Sequence, residues 1–148
     1  MTKQELFACL ESVLEETHAG VLATIDLEGN PHLRWLAPAL IPGRQGALFA
    51  VTSPSCHKVQ ELAAHPRVEW MFQNPALNAV ITVRGTINIL DNASIKAEVL
   101  EAVGPRLRAF WKLYQEEREL LVLETILEEA VFYRPMSGRK ETLRIASP

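Results

Sequence analysis

The stretch Gly46 to Pro66, GALFAVTSPSCHKVQELAAHP, decides the fold because a strand, a turn and a helix follow one another within it. The apolar run Ala47 to Val51 predicts a β-strand. After it, apolar side chains recur at helical spacing, which predicts a helix that includes Val59, Leu62 and Ala63. The polar turn from Thr52 to Ser55 therefore leads directly into a helix.

This turn has the chemistry of a phosphate site. A helix start carries unpaired backbone N–H groups and the positive end of the peptide dipoles, and both favour an anion. The hydroxyls of Thr52, Ser53 and Ser55 and the ammonium of Lys58 would complete such a cradle. Alternatively, Ser53 or Ser55 is only the helix N-cap and Lys58 is a solvated first-turn residue.

Length and composition predict one globular domain, residues 1–148. The chain is 48% hydrophobic and 22% charged with a formal net charge of -3, a balance that argues against a nucleic-acid partner. No apolar run approaches the roughly 20 residues of a membrane span, and the N-terminus lacks signal-peptide features. We therefore expect a cytoplasmic protein without a membrane partner, in which Cys9 and Cys56 are reduced thiols.

The rest of the chain predicts mainly strands, with Gly85 as a bulge or a place of close backbone approach. Further helices are expected at Lys3 to Glu16, about Ser94 to Val103 and Arg106 to about Glu116. Beyond the central strand, the predicted strands are Val21 to Asp26, Pro31 to Leu40, Arg67 to Gln73, Asn78 to Leu90, and Leu120 to Ile126 with Ala130 to Tyr133. The last two form one strand or two broken at Glu128-Glu129, before an irregular basic tail. About six antiparallel strands predict a small Greek-key barrel with peripheral helices.

Three runs of this sequence resemble a known family. They are ATIDLEGNPHLRWL (Ala23 to Leu36), ALFAVTSPSCHKVQELAAHPRVEWMF (Ala47 to Phe72) and VRGTINILD (Val83 to Asp91). Together they look like the pyridoxamine 5'-phosphate oxidase-like, FMN-binding split-barrel family, and the general stress protein 26-like branch is most similar in length and layout. The resemblance implies a split barrel and a homodimer with the flavin at the subunit interface.

The resemblance also implies a set of FMN-binding residues. Arg34 stands where the family has an arginine on the FMN phosphate, and Ser55 and Lys58 stand where its strand-to-helix turn meets the same phosphate. Residues Phe49 to Thr52 resemble those that line the isoalloxazine ring with backbone groups, and the partner subunit would contribute the segment around Trp111 or the tail near Tyr133. The full candidate set is Arg34, Trp35, Leu36, Phe49, Val51, Thr52, Ser53, Ser55, Lys58 and Trp111.

The chain departs from the oxidase itself at two places. Val80 stands where the enzyme has a glutamine, and the C-terminal Arg-x-His substrate motif is absent, so vitamin B6 oxidation is not expected. Cys56 and His57 also lie unusually inside the phosphate turn. No side chain stands out as a catalytic acid or base, and the histidines lack metal-ligand spacing.

The expected function is an FMN flavoprotein that passes electrons from reduced nicotinamide to a small acceptor. Two alternatives stay open. The protein could be a flavin-binding stress protein without fast turnover, or a split barrel whose pocket takes a deazaflavin or haem, or is empty.

Overall fold

The structure is a computed structural model that describes residues 1–53, 57–104 and 120–146. Within these ranges strands predominate over helices. In chain order the elements are α1 (Lys3–Thr17), β1 (Gly20–Ile25), β2 (Pro31–Leu36), β3 (Ala47–Thr52), α2 (His57–Ala64), β4 (Arg67–Gln73), β5 (Val80–Leu90), α3 (Ala93–Val103), β6 (Leu121–Arg134) and β7 (Arg139–Arg144).

All strand pairs are antiparallel, and the strands form one sheet in the order β2-β1-β4-β5-β6-β3. The long strand β6 pairs with β3 through its first half and with β7 through its last residues. Strands β2 and β3 are the two ends of this order and do not pair with each other. The sheet is therefore an open barrel, which confirms the predicted antiparallel split-barrel fold.

The core lies inside this curved sheet. Alternate residues of each strand point inward, as in β4, where Val68, Trp70 and Phe72 are buried and the residues between them are exposed. Helix α1 covers one end with Leu6 and Leu10, and a capping box between Thr2 and Glu5 fixes its start.

A second apolar cluster covers the outer side of β3. There Phe49 and Val51 pack with Ile95 and Val99 of α3, so every residue of β3 is buried. This double burial explains the unbroken apolar run in the sequence, because neither face of the strand meets water.

The bulge predicted at Gly85 is confirmed. The register between β5 and β6 shifts between Arg84 and Gly85, which leaves Glu128 as the extra residue of β6. A Cβ atom at Gly85 would collide with the carbonyl oxygen of Ile126. Only glycine allows the two strands to approach this closely.

Of the two alternatives left open for the end of the chain, the structure has one strand from Leu121 to Arg134, because its bulge absorbs Glu128 without ending the ladder. Two details of the predicted elements were wrong. The irregular tail is instead β7, which makes seven described strands and pairs with β6 through its backbone. Strand β2 ends at Leu36, before Pro38, which has no N–H to continue a ladder. The helix expected from Arg106 lies outside the described residues.

Candidate functional site

Arg34 places its guanidinium between a strand and a helix. It pairs with Leu22 across β1 and β2 and therefore lies on the inner face of the sheet. Its Nη2 atom donates to the hydroxyl oxygen of Thr24 at 3.1 Å and to Oε2 of Glu61 on α2 at 3.0 Å. These two bonds fix the guanidinium where β1, β2 and α2 meet.

Lys58 belongs to the same place because it precedes Glu61 by three residues on α2. Side chains at this spacing lie on one side of a helix, with Cβ atoms about 5–6 Å apart. The Lys58 residue is only 6% exposed, although its charge would normally remain in water. Arg34, Lys58 and Glu61, here called the Arg34 cluster, bring together two cationic groups and one carboxylate.

One donor of the Arg34 cluster has no acceptor. Arg34 Nε is buried and has no hydrogen-bond partner within the part of the chain that the structure describes. A buried donor without a partner costs about 1–3 kcal/mol. An anionic oxygen at this point would remove that cost, and a guanidinium with a lysine on the adjoining helix suits a phosphate group. The residues therefore fit the phosphate of FMN.

The free edge of β3 offers backbone groups at the strand end that leads towards α2. Ala39 exchanges two backbone hydrogen bonds with Phe49 on this edge, at 2.8 and 2.9 Å. Backbone groups alternate in direction along an antiparallel strand, so the N–H and C=O of Val51 point to the same edge. Among the described strands, none pairs with Val51 on this edge.

The side chains of Phe49 and Val51 on β3 do not face Arg34. Phe49 and Val51 pack under α3, so any contact with a ligand in the barrel opening would be through their backbone. Thr52 is buried, and Ser53 is half-buried at the strand end. Ser55 and Trp111 lie outside the described residues, as does Cys56.

Of the two predicted residues that follow Arg34, Leu36 lies on the same face of β2 and Trp35 lies on the opposite face. Leu36 is half-buried and packs against the core. Trp35 lies on the outer face of the sheet and is 81% exposed, beside Leu33, which is 74% exposed. Val21 pairs with Trp35 on one side and Met71 on the other. Val21, Leu33, Trp35 and Met71, here called the outer face, are on the opposite side of the sheet from Arg34.

The sequence did not single out Glu61, although it contacts Arg34 directly. Its signal was the three-residue spacing from Lys58, which places both side chains on one side of α2. That spacing alone suggests only an ion pair on a helix surface. The contact depends on how α2 packs against β1 and β2, which local sequence does not determine.

The turn between β1 and β2 carries a second polar network. Asp26 Oδ1 accepts from the backbone N–H groups of Asn30 and Glu28, and its Oδ2 lies 2.7 Å from His32 Nε2. The backbone hydrogen bond from Asn30, followed by the bond with His32, lowers the pKa of Asp26 to about 2. Thr24 pairs with His32, so this network is adjacent to the Arg34 cluster along the hairpin.

Two further observations concern metals and membranes. Across residues 1–53, 57–104 and 120–146, no three or more His, Cys, Asp or Glu side chains group as metal ligands would. None of the described helices has the length and apolar character needed to cross a membrane.

A family model described as pyridoxamine 5'-phosphate oxidase matches residues 7–132. The chain belongs to the pyridoxamine 5'-phosphate oxidase family. The match includes β1 to β5 and most of β6, and with them Arg34, Lys58 and Glu61. It confirms the resemblance found in the sequence.

A curated member of the family is similar to part of this chain. It is a pyridoxine/pyridoxamine 5'-phosphate oxidase from Anaeromyxobacter dehalogenans, 34% identical over 79 residues. The aligned stretch covers 53% of this chain and 39% of that oxidase. The chain therefore matches well under half of the length of this relative.

Solved structures share the fold at low sequence identity. A protein from Clostridium acetobutylicum related to general stress protein 26 has a TM-score of 0.77 at 17% identity, with 97% of both chains covered. An FMN-binding protein from Nostoc punctiforme has a TM-score of 0.67 at 12% identity, with 99% of this chain and 100% of that chain covered. A haem-binding protein from Mycobacterium smegmatis has a TM-score of 0.69 at 20% identity, with 90% and 55% covered.

Proposed function

We propose that this protein is a cytoplasmic, homodimeric FMN-binding oxidoreductase that holds the flavin phosphate through Arg34 and Lys58. It passes electrons from a reduced nicotinamide to a small acceptor. The observation that carries the proposal is the Arg34 cluster, in which the buried Nε of Arg34 lacks an acceptor among the described residues and the helix that contacts Arg34 also carries the buried Lys58. The family and the FMN-binding neighbour of the same fold support this choice of ligand.

The chain's own residues bind and orient the ligand. Arg34 and Lys58 bind the phosphate, while Thr24 holds the guanidinium in place from β1. The backbone N–H and C=O of Val51 supply a donor and an acceptor for the polar edge of a heterocycle. FMN, when bound, supplies the hydride and electron transfer. The contribution of the protein is therefore position and hydrogen bonding.

The outer face is the proposed dimer interface. Leu33 and Trp35 are large apolar side chains that stand almost fully in water in the single chain, next to Val21 and Met71. Contiguous exposed apolar patches mark association surfaces. A second copy related by a two-fold axis would cover the same patch on both chains.

A titration with two flavins tests the ligand. Purified protein is mixed with FMN or with riboflavin, which lacks the phosphate, and binding is followed by flavin fluorescence. We expect FMN to bind much more tightly than riboflavin, and the Arg34→Ala/Lys58→Ala double variant to lose that preference. The matched control is Arg84→Ala/Lys140→Ala, which removes two cations on other parts of the sheet. Equal FMN affinity in the wild type and the Arg34/Lys58 variant would refute the site.

Two further measurements separate the alternatives. Steady-state reduction of bound FMN by NADH or NADPH distinguishes an oxidoreductase from a flavin-binding stress protein, because only the former turns over faster than background. Absorption spectra after addition of haem or a deazaflavin test the other occupants. Tight haem binding together with no FMN binding would favour the function of the Mycobacterium smegmatis neighbour.

A further inference from the structure

We infer that Glu61 sets the strength and selectivity of the phosphate site by pairing with the Arg34 guanidinium that would bind the phosphate. This inference rests on the proposed function, since it concerns the phosphate of the same ligand. It adds a residue with a specific role, which is to keep FMN exchangeable instead of permanently held.

The geometry places the carboxylate against the group that would bind the phosphate. Glu61 Oε2 lies 3.0 Å from Arg34 Nη2, and both side chains are largely shielded from water, at 13% and 24% exposure respectively. A phosphate oxygen on Arg34 Nε would share the guanidinium with this carboxylate. Two anions on one guanidinium repel each other, and partial burial weakens the screening of that repulsion.

The charge balance follows from the ion pair itself. Glu61 cancels the charge of the Arg34 guanidinium that it contacts. A phosphate monoester carries close to two negative charges at neutral pH. Arg34 therefore meets this ligand as part of a neutral ion pair, where without the carboxylate it would present a full positive charge.

Glu61 also has a role when no ligand is bound. Arg34 is partly buried, and a buried guanidinium without a counter-ion is strongly unfavourable. Glu61 supplies that counter-ion and fixes the guanidinium against Thr24. The pair thus keeps the empty site folded, at the expense of ligand affinity.

Glu61→Gln tests this inference, because glutamine keeps the shape and an acceptor oxygen for Arg34 while it removes the charge. We expect FMN to bind at least about tenfold more tightly to this variant, since a unit charge a few ångströms away in a partly buried site is worth at least that factor. Riboflavin affinity should change by less than about twofold. Glu61→Ala should also raise the affinity for FMN relative to riboflavin. Because alanine has no amide, this variant shows that the effect does not come from the amide group of the new glutamine.

The matched control is Glu98→Gln. It removes a carboxylate that also pairs with an arginine, Arg44, at 3.1 Å on α3, and it changes the net charge of the protein equally. FMN affinity should remain unchanged in this variant. A second readout is the melting temperature, which FMN should raise further in Glu61→Gln than in the wild type at the same ligand concentration.

The outcomes distinguish this inference from the proposed function. If the wild type binds no FMN, the proposed function is wrong and the inference fails with it. If the wild type binds FMN but Glu61→Gln shows the same or a weaker preference over riboflavin, the FMN site stands and Glu61 only positions Arg34. That result would overturn the inference alone.

Discussion

Trp70 on β4 donates its indole N–H to the hydroxyl oxygen of Thr125 on β6 at 3.1 Å. Both residues are almost completely buried, and β5 lies between their strands in the sheet. The bond therefore crosses the barrel interior and does not run along a ladder. It allows a tryptophan, which carries an obligatory donor, to fill the centre of an apolar core.

Replacing Thr125 with valine should destabilise the fold by about 1–3 kcal/mol, because the shape is kept while the indole N–H loses its acceptor. Thr125→Ser keeps the hydroxyl and serves as the control, with a smaller loss from the missing methyl group. Urea unfolding of the two variants measures the difference. Equal stability of the valine and serine variants would contradict the role of this hydrogen bond.

Gly85→Ala should be among the most damaging single substitutions in the described chain. The added Cβ would meet backbone atoms of Ile126 and Leu127, which cannot move aside without breaking the pairing of β5 with β6. We expect a loss of at least about 3 kcal/mol, or failure to fold. Thr82→Ala on the same strand lacks this collision and should cost under about 1 kcal/mol. Thermal unfolding of both variants checks the contrast.

The Asp26 network predicts how the stability of the fold changes at acidic pH. The pKa of Asp26 falls from its ordinary 3.8 to about 2 on folding, mainly through the hydrogen bond from Asn30 and then through His32. In the window between these values the unfolded chain binds more protons than the folded chain, so stability falls as the pH drops. This contribution is present above about pH 4 and is lost towards pH 2.

Asp26→Asn should remove that contribution. The melting temperature of the variant should therefore lie below that of the wild type at pH 6, and the difference should shrink as the pH falls towards 2. Glu28→Gln is the control, because it changes a neighbouring carboxylate that does not accept these bonds. A difference that is constant from pH 6 to pH 2 would show that Asp26 does not titrate as described.

Trp35→Glu should convert the proposed dimer into monomers. A charge at the centre of the outer face would be buried without a partner in the dimer, which costs several kcal/mol of association. Size-exclusion chromatography with light scattering gives the mass. Met136→Glu is the control, since Met136 is equally exposed but lies in the turn between β6 and β7. An unchanged mass in the Trp35 variant would place the interface elsewhere.

The sequence predicted most of the sheet because its strands have strong patterns. These patterns are local: β5 has a run of β-branched residues, β4 alternates apolar and polar residues, and proline and glycine occur at the turns. Local patterns of this kind predict individual strands and turns. Strand β7 was missed because Arg139 to Arg144 has no buried face that would impose an apolar alternation. Its pairing depends on the backbone of β6, which the sequence of β7 does not reveal.

The site was predictable only in part. The polar turn before a helix predicts an anion site, which stays a prediction. The structure shows that Lys58, on the first turn of that helix, is buried. Adjacent residues on a strand point to opposite faces, so Arg34 and Trp35 could not both line one pocket. The contact between Glu61 and Arg34 could not be predicted from the sequence, because it depends on how α2 packs against the barrel.

Because the strand order of the sheet is open, the gap between its two end strands can be considered separately from the pairing of the strands between them. Arg34 stands on one end strand and Val51 on the other, and in the described chain these two strands do not pair. The bridge between Ala39 and Phe49 joins the chain beyond β2 to β3, so a change in the gap between the end strands strains this bridge before it affects the pairing of β1, β4, β5 and β6. Under the proposed function, substitutions along this seam would change the affinity and release of the ligand while the ladder pairing of the sheet is kept.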